Sequence, residues 1–344
     1  MSKKITFVVR QPGAANAFIP LIMEMNSSGD FEISILAFDL SWRLLENAAL
    51  GFSKIESFSD AIQYLIPNCD YLVTGTSEKV ADDELFWKWA NDNGIPSLAY
   101  VDQWSNLAQR FDCHYLPATI AVIDGKAQQE LESLPIDKCR IQITGSPVFD
   151  ALEKVVNSST RSKKGLRVLF VMEPDISGMS NEQIRNRHGF TEFDCLRAGY
   201  KATCEYARRQ NASLRFALKP HPRDDQTRVQ QMLKALDSDA SIVPVEVWEG
   251  SREEALIESD VVMGIRSMLL LEAAYVHKPV ISIQLNRKTT SLLTDARPGI
   301  NLALTEKDIE RQLEKSIAAP TPRGGISHTQ PDSAIERFIN ILRS

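Results

Sequence analysis

Short apolar runs rich in β-branched residues alternate with longer helix-forming segments along almost the whole chain. Examples are KITFVV, FEISILAF and SLAYVD, each followed by a polar stretch long enough to form a helix. Strands that alternate with helices indicate βαβ units, which build parallel sheets covered by helices on both faces. The nearly continuous apolar runs SLAYVD and ATIAVID are typical of strands buried on both faces. The sequence therefore predicts an α/β fold.

A polar segment near the middle of the chain interrupts this alternation. The stretch EKVVNSSTRSKKG, at 153–165, has no strand pattern, and the alternation restarts directly afterwards with LRVLFVM. The chain has 344 residues, about twice the commonest size of a domain. We therefore predict two Rossmann-like parallel-sheet domains, one over 1–155 and one over 165–344. Ligands of such sheets bind at the carboxyl ends of the strands, so we expect a ligand in a cleft across which the two sheets face each other.

The composition excludes several kinds of partner. The net charge is −6 and no segment is rich in lysine and arginine, which excludes nucleic acid. The five cysteines form no C-x-x-C pair, so we expect neither a zinc site nor a disulfide framework. No apolar run resembles a signal peptide or is long enough to span a bilayer, which predicts a cytoplasmic protein. Contact with a membrane surface and the oligomeric state stay open.

Residues that follow the predicted strands of the second half carry a distinctive set of charges. In FALKPHPRDD, at 216–225, a strand stops and cations follow at once. The prolines on both sides of His221 restrict the backbone, so the imidazole is held in place at a lower entropic cost. Groups that follow the other strands of the same sheet should lie nearby. The candidate donor-binding residues are Glu173, Lys219, His221, Arg223, Arg266, Ser267 and Glu272.

This set suits an anionic ligand. Ser267 opens a predicted helix, where free N–H groups and the positive end of the helix dipole attract phosphate. Lys219, His221 and Arg223 can add charge-assisted hydrogen bonds to the same oxygens. Glu272 is near enough in the helix to hold a ribose diol. Simpler interpretations stay open, with His221 as a turn residue and Glu272 as an ordinary helix carboxylate.

The first half offers small and polar groups at its predicted strand ends. Asp102 follows SLAYV at a strand end, where a carboxylate beside an aromatic ring can act as general base toward a hydroxyl. The alternative is that Asp102 caps the next helix and that Trp104 fills the core. The candidate acceptor-binding residues are Gly13, Thr76, Ser77, Trp104 and Asn106.

Several familiar motifs do not occur in the sequence. There is no G-x-G-x-x-G dinucleotide fingerprint, P-loop, H-E-x-x-H or G-x-S-x-G. Functions that depend on NAD, on ATP or on a serine nucleophile therefore lack their usual support. The carboxylates Asp39, Asp82 and Asp83 do not have the spacing of metal ligands, and we expect no metal and no cofactor.

Two motifs of the second half resemble motifs of GT-B glycosyltransferases. KPHP resembles the His-Pro motif of bacterial sialyltransferases and Kdo transferases, and the R-x-H-P motif of CDP-glycerol glycerophosphotransferases. SMLLLEAA resembles the S-x-x-x-E-A region of GT-B enzymes and of UDP-N-acetylglucosamine 2-epimerases. The resemblance implies that His221 and Ser267 hold the donor phosphate, with support from Lys219. It also implies that Glu272 holds the ribose, whereas the D/E-D-G motif that supplies the sialyltransferase base has no clear match beyond Asp124-Gly125.

The resemblance implies a metal-independent glycosyltransferase of surface-polysaccharide or lipopolysaccharide biosynthesis, with a CMP-sugar favoured as donor. The acceptor, a glycan, a lipid-linked saccharide or a protein, would bind the first domain and the donor the second. His221 and Asp102 are the predicted catalytic residues, with Asp102 as the base. The alternatives are a UDP-sugar 2-epimerase or hydrolase, a CDP-alditol phosphotransferase, and a nucleotide or sugar sensor without chemistry.

Overall fold

The chain folds into two compact units. The structure is a computed structural model. It describes residues 2–65, 69–77, 80–136, 138–158, 165–173, 179–221, 224–237, 243–291, 294–295, 297–318 and 332–344. The predicted donor-binding residue Arg223 lies outside these ranges. The units are Met1–Ala151 with Gln330–Ser344, and Leu152–Thr329.

The first unit is built on a parallel sheet of seven described strands. These are β1 (Lys3–Val9), β2 (Phe31–Ala37), β3 (Ser53–Lys54), β4 (Tyr71–Thr74), β5 (Ser97–Val101), β6 (Thr119–Val122) and β7 (Arg140–Ile143). They lie in the order β3-β2-β1-β4-β5-β6-β7, and every pairing is parallel. Strands β4, β5 and β6 are buried at every residue, as expected for apolar runs covered on both faces.

Helices connect these strands and cover the sheet. They are α1 (Pro12–Ser28), α2 (Asp39–Asn47), α3 (Phe58–Leu65), α4 (Val80–Asp92), α5 (Leu107–Arg110), α6 (Gly125–Glu132) and α7 (Pro147–Ser158). The polar segment at 153–165 begins inside α7, which extends to Ser158. The Phe18 ring on α1 packs against Phe7, with centroids 5.2 Å apart, and against Tyr100 at 6.1 Å. Such aromatic pairs add about 0.5–1.5 kcal/mol beyond the area they bury.

The second unit repeats the architecture with six described strands. They are β8 (Leu166–Val171), β9 (Leu214–Lys219), β10 (Val245–Val247), β11 (Val261–Gly264), β12 (Val280–Ile283) and β13 (Ile300–Ala303). Their order is β10-β9-β8-β11-β12-β13, again with parallel pairings only. Strand β9 ends at Lys219, as predicted, because Pro220 has no N–H to continue the ladder.

Six helices within the described ranges accompany this second sheet. They are α8 (Asn181–His188), α9 (Glu192–Arg209), α10 (Gln226–Asp237), α11 (Arg252–Glu258), α12 (Met268–Tyr275) and α13 (Glu306–Ala318). Helix α9 lies so close to the sheet that a Cβ on Gly199 would be 2.9 Å from Ile283 Cδ1 and 3.3 Å from Met263 Sδ. A glycine at this position therefore allows the helix to approach the strands.

The last helix, α14 (Ala334–Arg343), belongs to the first unit and not to the second, in contrast to the predicted range 165–344. Its Phe338 ring packs against Tyr100 with centroids 5.3 Å apart. The buried Asp150 carboxylate accepts a 3.0 Å hydrogen bond from the Ile335 N–H at the start of the helix. An amphipathic sequence predicts a helix with one buried face, but it does not say which sheet covers that face.

Each sheet reverses its strand order at one point. In the first unit this topological switch point lies between β1 and β4, and in the second unit between β8 and β11. Open α/β sheets bind ligands outside the carboxyl ends of the strands at such points. Among the described residues, no helix is both long and apolar enough to cross a membrane.

Candidate functional site

The switch point of the first unit is lined by closely packed small residues. Gly13 lies in the first turn of α1, directly after β1, and Gly75 follows β4. A Cβ on Gly13 would lie 1.7 Å from Asp102 Oδ2, and one on Gly75 would lie 2.5 Å from the Ala14 Cβ. The absence of a side chain at Gly13 therefore makes room for the Asp102 carboxylate at the amino end of α1, where the helix dipole favours negative charge.

Asp102 is largely buried and is paired with a buried arginine. Its Oδ1 lies 3.3 Å from Nη1 of Arg110, whose side chain is only 2% exposed. Burial raises the pKa of Asp102 above the ordinary aspartate value, and the Arg110 guanidinium opposes this rise. Arg110 is itself fixed, since Nη1 donates to Thr76 Oγ1 at 2.7 Å and Nε donates to the Ser105 carbonyl at 3.1 Å. The carboxylate is thus held in one orientation at the sheet edge.

Of the predicted acceptor-binding residues, the structure places Gly13 against Asp102 and Thr76 against Arg110, the partner of Asp102. Ser77 lies on the same loop, but its N–H and hydroxyl both donate to Asp83 Oδ2, at 2.7 Å and 2.6 Å. Asp83 in turn accepts from Arg10 at 3.2 Å. This second buried cluster ties the loop after β4 to the residue that follows β1.

Trp104, a predicted acceptor-binding residue, is buried in the structure. Its ring is 4% exposed, and Nε1 donates to Asp124 Oδ1 at 2.8 Å, which agrees with the core-packing alternative. Asp124 caps α6, where its Oδ1 accepts from two backbone N–H groups. The other half of that alternative is wrong, because the N-cap position of α5 is occupied by Asn106, at φ 56°, and not by Asp102.

In the second unit, Glu173 and Arg266 meet at the switch point. Glu173 follows β8, Arg266 follows β11, and Glu173 Oε2 lies 3.5 Å from Arg266 Nη2. Burial raises the pKa of Glu173, while the Arg266 charge lowers it. At 3.5 Å the pair is loose for a charge-assisted hydrogen bond, so the guanidinium keeps capacity to bind an anion.

The turn that carries His221 is closed by Asp224. The His221 N–H donates to Asp224 Oδ2 at 2.8 Å, and the Asp224 N–H donates to the His221 carbonyl at 2.8 Å. Nη1 of Arg228 on α10 donates to Asp224 Oδ1, and Nη2 donates to Glu192 Oε2. Burial raises the pKa of Glu192 to about 7. The proline-flanked turn is therefore anchored by a network of buried charges.

Lys219 is the last residue of β9 and directly precedes the turn that carries His221. Its Nζ donates to the Gly250 carbonyl at 3.1 Å, and burial lowers its pKa. The nearby Glu253 carboxylate opposes this fall in pKa. Since β9 and β11 flank β8, their carboxyl ends are about 10 Å apart, so Lys219 and Arg266 can both reach a ligand at the end of β8.

Ser267 is the N-cap of α12, as predicted, and its hydroxyl accepts from the Leu269 N–H at 3.3 Å. Glu272 lies in the same helix with 6% of its surface exposed. Its Oε1 accepts from Arg252 Nη1 at 3.2 Å, whereas Oε2 has no hydrogen-bond partner among the described residues. Burial raises the pKa of Glu272. A carboxylate oxygen without a donor is suited to accept a hydrogen bond from a hydroxyl group of a ligand.

Sequence reasoning did not assign several charged residues at these sites, namely Arg10, Asp83, Arg110, Glu192 and Arg228. Arg10 directly follows β1, so the strand-end criterion could have found it. Glu192 and Arg228 are 36 residues apart and lie on different helices, and no pattern in the sequence connects them.

Both halves of the chain thus carry polar groups at the switch point of a parallel sheet. The chain has the GT-B fold. No protein-family model matches the sequence, and no curated protein matches it significantly. The fold is identified by likeness to solved structures.

Three of these structures illustrate the likeness. A UDP-GlcNAc 2-epimerase from Methanocaldococcus jannaschii has a TM-score of 0.70 at 15% identity, with 99% of each chain covered. A UDP-GlcNAc 2-epimerase from Neisseria meningitidis, bound to UDP-GlcNAc, has a TM-score of 0.69 at 14% identity over 99% of this chain and 100% of that one. MurG of Acinetobacter baumannii has a TM-score of 0.59 at 12% identity, with 99% of each chain covered. The relation to sialyltransferases and Kdo transferases stays a prediction.

Proposed function

We propose that the protein is a glycosyltransferase that transfers a sugar from a pyrimidine-nucleotide donor to a hydroxyl group of a glycan, a lipid-linked saccharide or a protein. The observation that carries the proposal is the Asp102 site. A largely buried carboxylate with a raised pKa, fixed by Arg110 beside the glycine-lined turn of α1, is the arrangement a general base requires.

The second unit would bind the donor. Lys219 and His221 at the end of β9, and the N–H groups at the start of α12, would stabilise the charge on the departing phosphate. Arg266 beside the end of β8 would add a guanidinium to the same oxygens. The unpaired Oε2 of Glu272 would accept a ribose hydroxyl.

In the transfer step, Asp102 would take the proton from the acceptor hydroxyl. The acceptor oxygen forms a bond to the anomeric carbon of the sugar while the bond from that carbon to the phosphate oxygen breaks. The electron pair of the broken bond leaves with the nucleotide. The cations of the second unit bind the phosphate of this departing nucleotide. The proposed role in surface-glycan biosynthesis rests on the resemblance of KPHP and SMLLLEAA.

A UDP-sugar 2-epimerase is the second candidate. Its support is the higher TM-scores of two UDP-GlcNAc 2-epimerases, 0.70 and 0.69, compared with 0.59 for MurG. Epimerisation at C2 would require that a base remove the C2 proton and that a proton return to the opposite face of the sugar. Asp102 would be the base in this reaction as well.

Incubation with sugar nucleotides in D2O separates the candidates. The protein is incubated with UDP-GlcNAc or a CMP-linked sugar, with and without a mixture of glycan acceptors, and sugars are analysed by mass spectrometry. A transferase gives an acceptor heavier by one sugar and recovered donor without deuterium. An epimerase acts without acceptor and places deuterium at C2.

Titration of wild type and His221→Ala with CMP, CDP, UMP and UDP then identifies the nucleobase of the donor. We expect a pyrimidine nucleotide to bind and the variant to bind it more weakly. Binding without turnover of any donor would instead favour a sensor. Absence of binding by all four nucleotides would contradict the proposal.

A further inference from the structure

A continuous set of charged groups connects the loop after β8 with the loop after β9 in the second unit. Arg228 on α10 lies at its centre and contacts both loops. Its Nη2 donates to Glu192 Oε2, and its Nη1 donates to Asp224 Oδ1 and, at 3.4 Å, to the Glu173 carbonyl. The Glu173 N–H donates to the other oxygen of the Glu192 carboxylate. One guanidinium therefore binds residues from both strand ends.

The carboxylate of Asp224 links Arg228 to the turn that carries His221. The Asp224 side chain has no exposed surface, and its two oxygens have different partners. Oδ1 accepts from Arg228, and Oδ2 accepts from the His221 N–H at 2.8 Å. His221 is flanked in the sequence by Pro220 and Pro222, which have no N–H groups, so this bond uses the one peptide N–H that the segment 220–222 carries.

Two buried carboxylates need the positive charge of Arg228. A carboxylate without exposed surface is strongly destabilised unless a cation or several donors compensate for its lost hydration. Removal of the arginine would leave Asp224 and the 8% exposed Glu192 side chain without this partner. Both carboxylates would turn toward water or toward other donors, and the acceptor of the His221 N–H would move with Asp224.

We infer that Arg228 is a positioning residue, which acts through Asp224 to hold His221 where it meets the donor phosphate. The inference rests on the proposed function, in which His221 binds that phosphate. A planar guanidinium can bind two carboxylates and a carbonyl at once, whereas a lysine ammonium has no such fork, so the geometry requires arginine and not only a positive charge.

The test compares Arg228→Met and Arg228→Lys with the matched control Arg215→Met. Arg215 lies on β9 in the same unit and forms a two-bond pair with Glu246, at 3.1 Å and 2.8 Å, on the exposed side of the sheet. The chain contains 5 histidines, so selective ¹⁵N-histidine labelling gives few backbone amide signals, and His221→Ala identifies that of His221. Hydrogen exchange of this amide is measured together with nucleotide affinity.

We expect Arg228→Met to accelerate exchange of the His221 amide, relative to the other histidines, by about tenfold or more, because its hydrogen bond is lost. Arg228→Lys should give an intermediate rate, and Arg215→Met should leave it unchanged. Nucleotide affinity should fall by about tenfold in Arg228→Met. Combined with His221→Ala the two losses should be strongly non-additive, since one residue acts through the other.

An unchanged His221 exchange rate in Arg228→Met would overturn the inference. So would equal acceleration at all histidine amides, which would mean that the whole unit had loosened, or affinity losses that add in the double variant. If wild type binds no nucleotide, the proposed function fails instead, and the exchange rate alone decides the role of Arg228.

Discussion

The strand ends of the two units differ in how their charges are used. In the first unit, Arg110 is paired with Asp102, and Arg10 is paired with Asp83. In the second unit, Lys219 donates to a backbone carbonyl, and Arg266 lies 3.5 Å from its carboxylate. At the first edge each of these arginines is paired with a carboxylate, whereas the second edge retains cationic capacity.

This difference suits two different tasks. A base needs a fixed orientation and a pKa raised by burial, and both require a closed environment. A phosphate site needs cations whose hydrogen-bonding capacity is not already used by carboxylates. The same parallel-sheet architecture thus provides both kinds of edge, and the side chains on the adjacent helices decide which kind is formed.

Asp102→Asn should have the largest effect on turnover. Loss of a general base typically costs 10²–10⁴-fold in rate, so we expect a fall of about 10³-fold. Nucleotide affinity should stay as in wild type, because the cations lie in the second unit. The control is Asp92→Asn, which removes an exposed carboxylate of the first unit. Normal turnover in Asp102→Asn would contradict the proposal that Asp102 is the general base.

The pH dependence of turnover should report the same carboxyl. Burial raises the pKa of Asp102, so the base becomes protonated at a higher pH than the usual aspartate value of about 3.9. Turnover should therefore fall as the pH falls through this raised pKa, and the fall should be absent from the residual rate of Asp102→Asn. Profiles of kcat/KM between pH 4 and pH 9, recorded for wild type and for Asp102→Asn, measure this fall.

His221→Ala should lower turnover by about a hundredfold, the typical cost of losing one group that stabilises developing charge. Unlike Asp102→Asn, it should also weaken nucleotide binding, which calorimetric titration measures. The control is His114→Ala, which removes an exposed histidine of the first unit. Equal effects of the two histidine variants would contradict the distinction between the units.

Gly13→Ala tests how tightly the first edge is closed. A Cβ at this position would lie 1.7 Å from Asp102 Oδ2, so the carboxylate or the helix must shift. Overpacking of this kind costs about 1–3 kcal/mol of the free energy of unfolding. Gly51→Ala, where a Cβ meets nothing within 4 Å, should change it by less than about 0.5 kcal/mol. Denaturant unfolding of both variants gives the comparison.

Lys219→Met should have the smallest effect. Loss of one charge-assisted hydrogen bond at a partly exposed site corresponds to roughly 1 kcal/mol, or about fivefold in nucleotide affinity. The remaining affinity should depend less on salt, since one fewer cation contributes to it. Titrations at low and high ionic strength measure both effects. An affinity equal to that of wild type at low salt would show that Lys219 does not reach the ligand.

The fold could be predicted because it depends on local patterns. Apolar runs of strand length, separated by helix-forming segments, predict parallel sheets, and parallel strands bring their carboxyl ends to one edge. The positions of Lys219 at the end of β9 and of Ser267 at the start of α12 follow from this rule. Proline and helix-capping chemistry determine where these elements end.

The side-chain partners could not be predicted, because they depend on packing between elements far apart in the sequence. Trp104 directs its N–H to Asp124, which also caps α6, and the ring is therefore drawn into the core. Arg228 and Glu192 meet only in the folded chain, where Arg228 of α10 donates to the first residue of α9. A strand-end rule places candidates at an edge, but burial and pairing decide which of them keep hydrogen-bonding capacity for a ligand.

The return of α14 to the first unit affects how the protein can be made. During synthesis, residues 2–151 emerge from the ribosome long before the helix whose buried Phe338 covers Tyr100. Until α14 emerges, the nascent first unit therefore exposes the apolar surface that Ala334–Arg343 later covers, although the whole second unit is already available to fold. Chaperones that bind exposed apolar surface would thus find their target on the first unit, which is translated before the second.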